Sequence, residues 1–409
     1  MTSRSSAARV QAAPPAARIR PAFIGQGALI GASLAIYALV LIRAGLHHQD
    51  FGAYLAAGND VLTGHPLYST FLQHPFPDPT LRPAYIYPPV FALLLAPLAL
   101  LPASIAAGIW LVLNQSALAL AIILVVRRYR PGPWATAALI AGTVTFYPLW
   151  IDAVQGQANV LVLVLITAGV VGIVSGRPRA AIAIGIAAGL KLTPALLLLW
   201  LLFERRFREA AWLVSGFLGI SALGALVRWH DTWIFFTRVA PALAQGTAVY
   251  ANQSVGGLLA RLTTANPYTH AWIVMPAVLL PVAAALLLGY WRWSTRGQDL
   301  TISGVAFLPL LPLLSAVTWP HHLVILLPLL WLAVMAIAAL EWPWHRTLVL
   351  VALLLGFSVL ARWPAGPAFG QPGFKAAQTG DPLVLLTANA LLLSTLALFL
   401  VAPWLLRSR

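Results

Sequence analysis

Asp50 stands just beyond the first long apolar stretch, at the head of Asp50-Phe51-Gly52-Ala53-Tyr54, with Gly64 and Pro66 following as a stop signal. The pattern predicts a short helix over about 50–63. Phe51, Tyr54, Leu55, Gly58, Val61 and Leu62 would share one face, as on a helix lying in a membrane interface. The aspartate is then either a plain helix cap or a carboxylate presented at the mouth of a bundle. Lys191 is the stronger physical signal. About ten apolar residues flank it on each side, roughly 15 Å of helix, farther than a lysine side chain reaches toward water. Charges at such depth usually face a cavity or a partner. Pro194 breaks the helix at the same place, which is tolerated only against protein or a water-filled cavity. A buried cation beside interrupted backbone suits a phosphate; an ion pair with a neighbouring acid is the other reading.

Four further groups of polar residues fall in loops. Tyr85 and Tyr87 stand beside Pro88-Pro89 in Arg82-Pro83-Ala84-Tyr85-Ile86-Tyr87, as a stacking floor for a sugar or as an aromatic belt at lipid headgroups. Asp152, Gln157 and Asn159 gather hydrogen-bonding groups at a helix start, either for a substrate or for capping and solvation. Asn252-Gln253-Ser254 opens a second apparent interfacial helix that carries Arg261. Its guanidinium fork fits a lipid phosphate or an ordinary headgroup. Trp319-Pro320-His321-His322 offers two histidines. Adjacent on a helix they point apart, so a joint metal pair is not expected, whereas one of them could meet a phosphate or the base.

The elements that hold these residues must be membrane helices. Of 409 residues, 60% are hydrophobic and 9% charged, against about 25% charged in a soluble domain. Mean hydropathy is +0.86. The expected fold is therefore an all-α, polytopic bundle of roughly 10–12 transmembrane helices, each about 17–25 residues long. Crossings are expected near 22–43, 104–126, 134–150, 159–175, 211–228, 271–290, 300–318, 323–340, 347–361 and 383–405. The stretch 89–101 is short and proline-bounded, and fits the outer interface. The stretch 180–203, broken at Lys191, reads as a re-entrant hairpin or broken helix. This arrangement collects Arg127, Arg128, Arg130, Arg177, Arg179, Arg205, Arg206 and Arg208 on one side with the arginines of the N-terminal tail, as the positive-inside rule requires. Residues 1–21 read as a disordered basic cytoplasmic tail and 22–409 as one domain, with long outer loops at 44–103 and 229–270. Asp50 and Asp152 fall on the outer side.

The net charge of +15 follows from that topology, and no aromatic-interleaved basic stripe points to nucleic acid. Absence of cysteine excludes disulfides and thiolate chemistry. There is no phosphate-cradling glycine loop and no zinc spacing, and no acidic cluster that would hold a divalent metal. No cofactor is expected, so the driving force must come with the substrate or from a gradient.

Taken in order, Asp50-Phe51-x-x-Tyr54, Tyr85-x-Tyr87-Pro88-Pro89, Gly156-Gln157-x-Asn159, Lys191-x-x-Pro194, Asn252-Gln253-Ser254 with Arg261, and Trp319-x-His321-His322 resemble glycosyltransferase family 87 over roughly residues 45–340. The resemblance implies a GT-C fold and a donor of polyprenyl-phosphate-linked mannose, used on the periplasmic side of the bacterial inner membrane. It implies that Asp50 is the catalytic base and that Lys191, Arg261 and His322, or its neighbour His321, hold the donor phosphate. The acceptor would be a lipid or glycan hydroxyl. The chemistry is coherent. A phosphate leaving group, with a second pKa of about 6, needs cations rather than a general acid. One carboxylate then suffices as base, and direct displacement inverts the anomeric centre. The other readings are a transporter or lipid-linked sugar flippase, favoured by Lys191 but not by the lack of repeats, and a non-catalytic assembly subunit.

Overall fold

The computed structural model describes residues 21–45, 49–73, 84–249, 251–263, 275–359 and 388–407. The expected tail, Arg82 and Pro83 lie outside them, apart from Pro21. Every regular element among the described residues is helical. Five helices are long and apolar enough to cross a membrane: Ile24–Ala44, Ala103–Tyr129, Phe207–Val227, Pro276–Ser294 and Pro320–Ala339. Pro133–Val144 and Tyr147–Gln155, bent by 50° at their junction, make a sixth if taken as one span. The chain is thus an all-α polytopic membrane protein, as its composition requires.

The elements that carry the argument are α1 (Pro21–Ala44), α2 (Gln49–Thr63), α3 (Pro89–Ala99), α4 (Ala103–Tyr129), α5 (Pro133–Val144), α6 (Tyr147–Gln155), α7 (Asn159–Val174), α8 (Ala181–Leu190), α9 (Leu197–Phe203) and α10 (Phe207–Val227). Helix starts and stops follow the residues. Pro133 and Pro89 stand at first helical positions, where the missing N–H is no loss. Gly156 ends α6 with φ +69°, in the left-handed region that glycine occupies freely. The stretch 134–150, expected as a single crossing, is two helices, because the chain turns at Thr145-Phe146 ahead of Pro148.

Two ends of the bundle are chemically distinct. Helix α4 starts beside the α6–α7 turn, where Trp110 donates to the Gly156 carbonyl at 2.8 Å, and finishes at Arg127 and Arg128. Helix α7 leaves the same turn and finishes ahead of Arg177 and Arg179. From there the segment 178–203 climbs back to Lys191, which meets Asn159 at the head of α7. It then descends to Glu204 and Arg206, the latter paired with Glu209. This is the expected hairpin, with Lys191 at its tip. The arginine-rich connections thus lie at one end and the polar loop motifs at the other.

Glycine makes the hairpin possible. A Cβ on Gly185 of α8 would come within 2.0 Å of the Leu213 carbonyl of α10, and one on Gly216 within 2.5 Å of the Ile182 carbonyl. Such close backbone approach is how membrane helices gain packing where lipid removes the hydrophobic drive.

Helix α2 differs from the expectation of a helix resting on lipid. Its apolar face is covered by protein. A Cβ at Gly58 would stand 3.0 Å from the Leu95 carbonyl of α3, and Phe51 stacks on Trp110 of α4 with ring centroids 5.5 Å apart. Phe51, Tyr54, Tyr68, Tyr85, Tyr87, Phe91 and Trp110 form a buried aromatic cluster. Leu62, expected on that face, is exposed.

Candidate active site

Asp50 lies in the first turn of α2, one residue inside the helix that begins at Gln49. Its Oδ2 accepts a hydrogen bond from Gln157 Nε2 at 2.5 Å. The other end of that amide is fixed as well. Gln157 Oε1 accepts from Tyr54 OH at 2.7 Å and Tyr87 OH at 2.9 Å. Two phenols on the carbonyl oxygen leave the amide NH₂ to face the carboxylate. Gln157 is placed by the Gly156 turn, its backbone N–H donating to the Asp152 carbonyl at 2.9 Å.

A second chain of bonds runs beside the first. Lys191 Nζ donates to Asn159 Oδ1 at 2.6 Å, and Asn159 Nδ2 donates to Asp152 Oδ1 at 2.7 Å. Lys191 adopts an extended backbone at the end of α8, so the helix break aims its side chain along the hairpin tip. Its Nζ lies 5.5 Å from the centroid of the Tyr87 ring, a cation–π distance. Tyr87 therefore touches both chains, with its hydroxyl on Gln157 and its ring under the ammonium. Lys191 is also within electrostatic reach of Asp50, Asp152, His321 and His322.

Burial pushes the Asp50 carboxyl above its ordinary range, and the Gln157 bond and the Lys191 charge offset only part of that. A raised carboxylate is a better proton acceptor near neutrality.

The two histidines, whose rings lie 4.7 Å apart, differ. His322 Nδ1 accepts from the Trp319 backbone N–H at 3.3 Å. Its ring also hydrogen-bonds the Val317 backbone, so both sides of the imidazole are engaged with the protein. His321 is 3% exposed and its Nδ1 has no hydrogen-bond partner.

Other expected residues face the protein itself. Tyr85 OH donates to the Pro88 carbonyl at 2.7 Å and its ring stacks on Tyr68, so it shapes the Tyr87 turn. Asn252 Nδ2 donates to the Thr247 and Ala316 carbonyls, and its Oδ1 accepts from the Thr318 N–H. Gln253 bonds Thr318, Ala388 and Leu392. Arg261 donates to the Val249 and Asn252 carbonyls, each at 2.9 Å, and to Asn389 Oδ1 at 2.5 Å. These contacts fasten the second long loop to the segment that leads into Trp319 and His322. Among the described residues these bonds of Arg261 reach no member of the Asp50–Lys191 group, and its Nε is buried without a hydrogen-bond partner.

Sequence reading missed Asn114, in the middle of α4. It is buried, and its Oδ1 has no hydrogen-bond partner. The signal was there, since Asn114-Gln115-Ser116 interrupts an otherwise apolar span.

The chain is a polytopic helical membrane protein that brings the partly buried Asp50 carboxylate within electrostatic reach of Lys191 at one end of its bundle. Residues 85–316 match glycosyltransferase family 87. The chain is 30% identical over 353 residues, 82% of its length and 80% of the relative's, to a polyprenol-phosphate-mannose-dependent alpha-(1-2)-phosphatidylinositol mannoside mannosyltransferase of Mycobacterium tuberculosis. It is 29% identical to a pentamannoside-directed counterpart from the same species, over 81% of this chain and 76% of that one. A Mycolicibacterium smegmatis relative of the pentamannoside kind is 29% identical over 80% of this chain and 81% of its own. No solved structure matches the chain. The protein belongs to glycosyltransferase family 87.

Proposed function

We propose that this glycosyltransferase moves mannose from a polyprenyl-phosphate carrier to a hydroxyl of a lipid-anchored mannoside, at the outer face of the bacterial inner membrane. The relatives' donor and acceptor classes support the substrates. The observation that carries the mechanism is the joint contact of Tyr87 with Gln157, which holds Asp50, and with Lys191.

In this reading Asp50 takes the proton of the acceptor hydroxyl as its oxygen attacks the anomeric carbon. The bond from that carbon to the phosphate oxygen breaks, and the electron pair leaves with polyprenyl phosphate. Lys191 meets the growing negative charge, with the His321–His322 pair within its electrostatic reach. Fixed donors of this kind are worth about 2.7–4 kcal/mol each when aimed at developing charge. Asp152 and Asn159 position Lys191, while Tyr54 and Tyr85 hold Gln157 and the Tyr87 turn. The arginine-rich connections at the opposite end of the bundle support the outer face.

The test is product stoichiometry. Purified protein given polyprenyl-phosphomannose and an alkyl α-mannoside should release one polyprenyl phosphate per mannosylated product, with inverted configuration. Movement of the lipid-linked sugar across sealed vesicles, with no covalent product, would replace the reading by a flippase.

A further inference from the structure

Arg228 and Asp231 stand where α10 gives way to α11 (Trp229–Ile234). They form an ion pair, with Arg228 Nε and Nη2 at 2.7 and 2.6 Å from Asp231 Oδ2, and Asp231 is 3% exposed. What the pair grips is the chain that follows the Asp50 helix. Arg228 donates to the carbonyl of Asp60, in the last turn of α2, at 3.5 Å, and to the carbonyl of His65. Asp231 Oδ1 accepts from the Leu67 N–H at 3.1 Å. The last four carbonyls of a helix lack partners within it, and a cation is favoured beside them. Gly64 then turns the chain at φ +78°, so residues 64–67 depend on side chains from elsewhere to hold them.

The grip continues into the site. Tyr68, next to Leu67 and 1% exposed, donates its hydroxyl to the Tyr87 carbonyl at 2.7 Å. Its ring packs on Tyr85 and Phe235, with centroids 5.9 and 6.0 Å away. Phe235 opens a π-helical turn, Phe235–Val239, directly after α11; such turns recur at functional sites. Tyr87 in turn places its hydroxyl on Gln157 and its ring under Lys191. One ion pair therefore serves two parts of the site. At Asp60 it holds the far end of the helix whose first turn carries Asp50. Through Leu67 and Tyr68 it holds the backbone of Tyr87, which touches both the support of the base and the cation. A misplacement of about 1 Å at a reacting centre costs about 10²-fold in rate, so this anchorage has catalytic weight.

Resting on the transfer reading above, we infer that Arg228, Asp231 and Tyr68 are positioning residues for the glycosyl transfer. The ion pair anchors the 64–68 segment, and the Tyr68 hydroxyl passes that anchorage to Tyr87, and so to Gln157 and Lys191. They act through Tyr87 rather than on substrate, and set kcat rather than either KM.

Tyr68→Phe removes the hydroxyl and keeps the ring packing. Loss of one hydrogen bond is worth roughly 2- to 12-fold. With polyprenyl-phosphomannose and an alkyl α-mannoside, kcat should fall by that factor, with both KM values within about two-fold of wild type and Tm in detergent nearly unchanged. In a Gln157→Leu background the same substitution should cost less, because members of one network are not additive. A second readout needs no turnover. The chain has two lysines, Lys191 and Lys375, so isotopic labelling of the lysine Cε gives two NMR signals, and the one lost in Lys191→Met belongs to Lys191. Tyr68→Phe should move that signal, because the Tyr87 ring lies under the ammonium. Asp231→Asn, which keeps an acceptor for the Leu67 N–H, should fall between wild type and Asp231→Leu in both readouts; if Asp231→Leu fails to fold, Tyr68→Phe decides alone. Wild-type kcat and an unmoved Lys191 signal in Tyr68→Phe would overturn the inference. So would a loss of kcat that is fully additive with Gln157→Leu and matched by a fall in Tm. A moved Lys191 signal in a protein without transferase turnover would keep the positioning chain and reject the transfer reading instead.

Discussion

Gln157 Nε2 lies 2.5 Å from Asp50 Oδ2, and the carbonyl of the same amide takes hydrogen bonds from Tyr54 and Tyr87. Residues 107 positions apart are thereby locked, with the amide unable to turn without breaking both phenol contacts. Gln157→Leu should remove a bond that favours the ionised carboxylate. A hydrogen bond to a charged group contributes about 1.5–3 kcal/mol, so kcat should fall roughly 10- to 150-fold with little change in donor KM. Gln157→Glu should lower activity further at neutral pH, because it puts a second negative charge against Asp50.

The pH profile carries a definite sign. A base must be ionised, so kcat should fall as pH drops through the Asp50 pKa. Burial holds that pKa above the ordinary carboxylate value, which is about 3.9. Gln157 and Lys191 both pull it down, so Gln157→Leu and Lys191→Met should each move the acidic limb toward higher pH. A limb at the ordinary value, unmoved in both variants, would show that the titrating group is not Asp50.

Lys191→Met should lower kcat/KM by about 10²–10³-fold, the effect of removing one donor from a developing oxyanion. Lys191→Arg should rescue only in part, since a planar fork cannot reproduce the point charge that meets Asn159 and the Tyr87 face. His322→Gln should retain more activity than His322→Leu, because the amide keeps an N–H able to bond the Val317 backbone. Substituting His321 should not show that pattern.

Arg261→Leu tests whether the second long loop is held by this residue. The substitution strands the Val249 and Asn252 carbonyls and Asn389, each of which bonds the guanidinium. At about 1–3 kcal/mol for each buried group left unpaired, the main effect should be a clear drop in Tm in detergent. Donor KM of the protein that remains folded should stay within a few-fold of wild type. A large rise in donor KM with unchanged Tm would return Arg261 to the phosphate site.

Much of this was legible in the residues. Apolar stretches of the right length located the long helices, and Pro194 beside Lys191 located the hairpin tip. Spacing alone could not show which polar residues share a pocket. Asp50, Gln157 and Lys191 are far apart in the chain, and the close packing of α8 on α7 and α10 holds Lys191 against Asn159, two residues from Gln157. Asn252, Gln253 and Arg261 had the chemistry of ligands, yet their donors and acceptors meet backbone groups that a linear reading cannot see. Asn114 was passed over because a lone amide in an apolar span is unremarkable until its oxygen is seen without a partner. Helix α2 read as lipid-facing because nothing in its own sequence announces that α3 covers it.

The central claim is that Asp50 and Lys191 act on opposite partners of one breaking and forming bond pair. It is tested most directly by single-turnover release of polyprenyl phosphate from Asp50→Asn in the presence of saturating acceptor. The expected rate is lower by about 10²–10⁴-fold, the contribution of one positioned base, with donor Kd unchanged. Turnover near the wild-type rate would contradict it.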